Sequence, residues 1–211
     1  MSDQSSLQTL LSLVPPDHGA DERVDWPTAE DTLGCRLPGD YKAFMAVYGA
    51  GAIGELGVLG PLPVDYPQWD PGSILKSAPA FRDLWTREGG LPGIAADGGP
   101  VLPWGSGCNA NELGWLTLDP DPDRWPVVVW RRQISYGESS WALFDCGMVD
   151  FLARMMRAEF DECPLGDASL WGATAPFVHW REEQRRWQAG LDPETGLPDP
   201  LLRELLRRPA P

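Results

Sequence analysis

The stretch Leu37-Pro38-Gly39-Asp40-Tyr41-Lys42-Ala43-Phe44-Met45-Ala46-Val47-Tyr48-Gly49-Ala50-Gly51-Ala52-Ile53-Gly54 constrains this chain more than any other. Tyr41, Phe44, Met45 and Tyr48 fall at i, i+3, i+4 and i+7, the stripe of a helix that buries one face. Pro38 suits the first helical position, where a missing N–H costs nothing. Asp40 lies in the first turn, where the helix dipole favours a carboxylate. Gly49 stands where a left-handed residue ends a helix at low cost. The apolar run Ala52 to Leu59 then reads as one strand, stopped by Pro61.

Gly49-Ala50-Gly51-Ala52-Ile53-Gly54 also matches G-x-G-x-x-G letter for letter. Dinucleotide binding needs a strand before the glycines and a helix after, so that the helix N-terminus meets the pyrophosphate. Here the helix comes first and the strand second. The glycines therefore read as a helix stop and a turn.

The chain of 211 residues fits one domain with an appendage. Its net charge of −14 argues against nucleic acid or an anionic membrane held through a basic face, and suits a basic protein partner. Cys35, Cys108, Cys146 and Cys163 are scattered, and only His18 and His179 could supplement them. Zinc sites use closely spaced ligand pairs, so no metal or other cofactor is expected. The first residues lack the basic and apolar regions of a secretory signal, and no run of about 18 apolar residues appears. A cytoplasmic protein with reduced thiols is the expectation.

Leu7, Leu10, Leu11 and Val14 mark a helix over residues 4–14, and Pro27 opens a second helix that ends at Gly34. Ser77 reads as the N-cap of a helix to about Glu88. Residues 91–111 are Gly- and Pro-rich, with Val101 to Gly105 as a short extended piece. Strands are expected over Leu113–Leu118, Val127–Trp130 and Trp141–Phe144, and a helix over Met148–Phe160. This order predicts an α+β domain with a largely antiparallel sheet flanked by helices. The boundaries are 1–160 for the domain and 161–211 for a C-terminal extension. The extension is expected to hold a helix from Phe177 to Gln188, a Pro-rich linker from Leu191 to Pro200, and a short last helix. It should pack on the domain through Trp180 and Trp187, so that a chain ending near Phe160 loses solubility more than fold.

Leu37-Pro38-x-Asp40-Tyr41-Lys42 followed by Tyr48-Gly49-x-Gly51 resembles the signature helix of the SUKH superfamily, the Smi/Knr-like proteins. Leu102-Pro103-Trp104-Gly105-Ser106, Asn109 to Leu113 and Trp115-Leu116-Thr117 are similar to the middle of bacterial members. Asp121 to Val129 resembles the next hairpin, and Phe144-Asp145-x-Gly147-Met148-x-Asp150-Phe151-Leu152 the closing helix. The resemblance runs from about Trp26 to Met156. It departs at Asn109-Ala110-Asn111, where glycine is expected. It implies a bacterial immunity-type protein that binds and neutralises a polymorphic toxin domain without chemistry. The alternative it leaves open is an intracellular scaffold or regulatory interaction protein of the same fold.

No G-x-S-x-G elbow or P-loop occurs, and the two histidines lie far apart in sequence, so no catalytic residues are assigned and the chain reads as a non-enzyme. Cys108, in the Gly-rich stretch, is the best nucleophile candidate and reads more simply as a small buried hydrophobe. Trp69, Trp104 and Trp125 fall in expected loops. A partner surface is expected at Trp104, Asn109, Asp119, Asp121 and Asp123, where an aromatic anchor adjoins an acidic, Pro-stiffened turn.

Overall fold

The computed structural model describes residues 3–19, 22–65, 70–95, 97–107, 109–134, 139–166 and 170–207. Among them are helices α1 (Asp3–Leu13), α2 (Trp26–Leu33), α3 (Gly39–Val47), α4 (Ile74–Arg87), α5 (Met148–Met156), α6 (Trp180–Gln188) and α7 (Pro200–Arg207). The strands are β1 (Gly51–Ile53), β2 (Leu56–Val58), β3 (Val101–Gly107), β4 (Glu112–Leu116), β5 (Val127–Trp130), β6 (Trp141–Phe144) and β7 (Phe177–His179). They form one antiparallel sheet in the order β6-β5-β4-β3-β2-β1-β7. The fold is α+β, as the pattern of helices and adjacent strands predicts. Cys108 and Trp69 lie outside the described residues.

Strand alternation divides the apolar residues between the two sheet faces. Leu102, Leu113, Trp115, Val127 and Val129 join α1, α3 and α5 in the main core. Val101, Leu116, Val128 and Trp141 meet Phe81, Leu84 and Trp85 of α4 in a smaller one. Tyr41, Phe44, Met45 and Tyr48 of α3 are fully buried, the stripe read from the sequence. The two phenols are satisfied: Tyr41 donates to the Leu59 carbonyl and Tyr48 to that of Val14, each at 2.7 Å.

Helix caps link the elements around α3. Asp123 Oδ1 accepts the Gly39 N–H at 2.6 Å, capping α3 from a 3-10 turn at Pro122–Arg124. Asp40, itself buried, accepts the Val149 N–H at 3.0 Å and so caps α5. A Cβ on Gly147 would lie 2.6 Å from that carboxylate. Asp40 thus does more than complement its own dipole: it docks one helix start on another.

Four local expectations need correction. The run Ala52–Leu59 is not one strand but a tight hairpin, β1 and β2, reversed at Gly54-Glu55. The N-cap of α4 is Ser73, which accepts the Lys76 N–H, so Pro79 lies inside the helix. The Gly- and Pro-rich piece Val101–Gly105 is part of a seven-residue strand inside the sheet. The residues expected to begin a helix at Phe177 first form β7, and the helix starts at Trp180.

The segment beyond 161 enters the main core. Leu165, Leu170, Phe177 and Trp180 belong to it, whereas Trp187 is half-buried at the surface. β7 pairs with β1, and the His179 N–H donates to the His18 carbonyl on its outer side. The Pro-rich stretch after α6 is a folded loop. Arg186 holds it by donating to the carbonyls of Pro193 and Glu194 at 2.9 and 2.7 Å.

Candidate partner-binding surfaces

Trp104 is no surface anchor: it is fully buried. The β3–β4 register shifts between Pro103 and Gly105, leaving Trp104 as the extra residue of a bulge. A bulge re-aims its side chain. Here it turns the ring into the core, with centroids 6.3 Å from Trp115 and 6.1 Å from Phe151. Trp125 is also buried, and its indole N–H donates to the Asp119 carbonyl at 2.6 Å.

The acidic turn is engaged in its own structure. Asp119 accepts the Asp121 N–H and pairs with Arg124 at 3.3 Å. Asp121 accepts the Asp123 N–H, and Asp123 caps α3. Asp121 and Asp123 are nonetheless exposed, so the turn remains acidic toward solvent. Asn109 is exposed at the β3–β4 turn, beside Ala110 with φ of 56°. That left-handed backbone is where glycine belongs in such a tip. Asn111 is buried: it donates to the Leu165 carbonyl at 2.8 Å and accepts the Arg132 N–H. The turn, Asn109 and the core residue Trp104 therefore make no single surface.

Glu22, β7 and the turn after α3 meet in a buried polar junction that the sequence does not announce. His179 is 2 % exposed. Its Nδ1 accepts the Arg181 N–H, which leaves Nε2–H to donate to Glu22 Oε2 at 3.2 Å. The same oxygen accepts the Ala50 N–H at 3.1 Å. Burial pushes the Glu22 carboxyl up, but the His179 hydrogen bond and the Ala50 N–H outweigh it and hold the group below its ordinary value. The junction explains two glycines. Gly49, with φ of 73°, faces the His179 ring, 2.6 Å from where a Cβ would stand. A Cβ on Gly51 would lie 2.2 Å from the Val178 carbonyl.

A carboxyl with a lowered folded pKa stabilises above its unfolded value near 4.5, and that contribution disappears as pH falls through the folded pKa. Glu22→Gln should therefore lower the melting temperature at neutral pH. The gap to the wild type should narrow as pH falls from about 5 to about 3. Melting curves across that range check it; a gap that stays constant with pH would show that Glu22 contributes no charge-dependent stability.

Two further features are open to a partner. On α7, Leu201 and Leu205 stand one turn apart, 79 % and 56 % exposed, around a depression that Asp199 and Glu204 also line. On the opposite side of the sheet from α3, a cleft is bounded by α4 and the ends of β3, β4 and β5. The pairs Leu201-Leu202 and Leu205-Leu206 repeat at helical spacing in the sequence, which does not show which of them lacks cover. The cleft depends on register, which the sequence does not give.

Among the described residues, no helix is long and apolar enough to cross a membrane, and no three His, Cys, Asp or Glu side chains gather as metal ligands. Comparison of the chain with protein-family models, with curated proteins and with solved structures found no match.

Proposed function

We propose that the chain is a non-enzymatic protein-binding module of the immunity type, which neutralises a basic toxin domain by covering it. The observation that carries this reading is the α7 face. Leu201 and Leu205 stand exposed beside Asp199 and Glu204, in a chain of net charge −14. Apolar anchors with an acidic rim fit a protein surface rich in Lys and Arg. Burying the leucines supplies affinity, and the carboxylates supply steering and partner choice. The SUKH-like motifs between Trp26 and Met156 support the toxin as the class of partner.

The test begins at the gene. An immunity protein should be encoded beside a large secreted toxin, and co-expression with that toxin's terminal domain should restore growth. Leu201→Asp with Leu205→Asp should then weaken binding by about tenfold or more, since burying one leucine is worth about 1.5–3 kcal/mol. The melting temperature should stay near that of the wild type, because both side chains are already in solvent. Affinity within about twofold of the wild type would move the interface off α7. Failure of co-expression to protect the cell would sink the immunity reading.

A further inference from the structure

The cleft beside α4 has a volume of about 570 Å3. Its floor is one cross-strand row: Ser106 lies opposite Glu112, and Glu112 opposite Trp130. Phe81 and Leu84 of α4 form an apolar wall. Glu112 is half-buried, and among the described residues no hydrogen bond or ion pair reaches its carboxylate. Burial raises its pKa, with no neighbouring charge to oppose the rise. The buried indole N–H of Trp130 also has no partner among the described residues. Partial burial without a partner disfavours the ionised carboxylate, and a cation bonded to it would remove that cost.

The cations around the cleft do not fill that role. Lys76 is paired with Asp70 at 2.6 Å and Arg87 with Glu88 at 3.3 Å. Arg132 lines the cleft too, but its side chain is exposed. None of the three is bonded to the Glu112 carboxylate, and burial alone sets the direction of its pKa.

We propose that this cleft receives a Lys or Arg side chain from a basic protein partner, the stem lying against Phe81, Leu84 and Trp130 and the cation on Glu112. The inference rests on the reading of the chain as a binder of basic proteins and places one contact of that interface. A long basic side chain buries its methylenes on apolar surface and keeps its charge for a counter-ion. The Trp130 ring adds attraction for a cation over its face. A charge-assisted hydrogen bond to Glu112 gives the carboxylate the partner it lacks. The net charge of −14 favours a partner that carries many such side chains.

The probe is a blocked arginine, Nα-acetyl-L-arginine methylamide, titrated into the full chain at low salt. Binding is followed by the Trp130 indole proton resonance, assigned with Trp130→Phe. The expected result is a saturable shift in the millimolar range, weakened about tenfold or more in Glu112→Gln. That variant should also melt no lower than the wild type at neutral pH, because it removes an unpaired, half-buried charge. Blocked norleucine, which has the stem without the cation, should bind far more weakly. Three results would each overturn the proposal: no saturable shift, equal binding by Glu112→Gln, or binding of free L-arginine but not the blocked form. The last would mark a site for free zwitterions. None of these arms uses a toxin, so failure of the cleft and failure of the immunity reading are seen separately.

Discussion

A chain ended after Phe160 will not melt cooperatively. The missing segment carries Leu165, Leu170, Phe177, Val178 and Trp180, each buried in the folded protein. Fully burying a large apolar side chain contributes about 1.5–3 kcal/mol, and a domain's whole net stability is about 5–15 kcal/mol. Losing five such side chains therefore reaches the scale of the total. The loss is compounded on the other side of each contact. The Phe177 ring sits 5.1 Å from Tyr48 and 6.0 Å from Phe44, so both lose cover. β1, three residues long, would become a sheet edge, and Glu22 would lose His179. Near-UV circular dichroism and a thermal melt of residues 1–160 check this. A sharp transition within about 5 °C of the full chain would mean that these residues only decorate a self-sufficient domain.

That expected result differs from the one the sequence suggests, and the reason is physical. The boundary at 160 follows a change in character: the pattern becomes irregular, rich in Pro and Gly and poor in periodicity. A strand of three residues carries too little alternation to be seen, and Phe177-Val178-His179 runs straight into a helix. The matching signal stood at the other end of the chain. Gly49 and Gly51 read as a helix stop, which accounts for Gly49 with its positive φ. It does not account for Gly51, whose missing side chain makes room for the Val178 carbonyl. Glycines kept small for a distant strand look the same as glycines kept small for a turn.

Elements with long, regular burial were legible for the opposite reason. α3 and α5 each present a full apolar stripe, and β5 is a β-branched run buried along most of its length. The hairpin of β1 and β2 was hidden because its turn, Gly54-Glu55, interrupts an apolar run without Pro or Asn to mark it. The start of α4 was misplaced because Ser73 and Ser77 are both N-cap residue types, and only the fold shows Ser73 accepting the Lys76 N–H. The candidate surface was the least legible part. Asp119, Asp121 and Asp123 are acidic in the sequence, but only the fold shows that Asp123 caps α3. Trp104 lies between Pro and Gly in a stretch that looks like a loop, and only the bulge turns it inward. Glu112 was not singled out in the sequence, and its place in the cleft follows from a register that pairs it with Ser106 and Trp130.

Phe44→Ala should cost about 3–5 kcal/mol, the range for removing a fully buried phenylalanine ring. Phe44 has no exposed surface, stacks on Tyr48 at 4.6 Å and meets Phe177 edge-on at 6.0 Å. The melting temperature should fall by on the order of 10 °C in a chain of this size. Phe44→Leu, which keeps most of the apolar volume, should cost less. A loss below about 1 kcal/mol for the alanine variant would mean that the site collapses around the gap. The sharper test pairs Phe44→Ala with Phe177→Ala. If α3 and the C-terminal segment share one core, the two costs will not add. Their coupling should be about 0.5–1.5 kcal/mol, the value of an aromatic pair beyond the area it buries. Costs that add to within about 0.3 kcal/mol would show that the rings are neighbours without being partners. In that case the stability of the 177–179 strand would come from its pairing with β1 and from the Glu22–His179 junction, and the truncated chain would keep more of its core than the ring geometry implies.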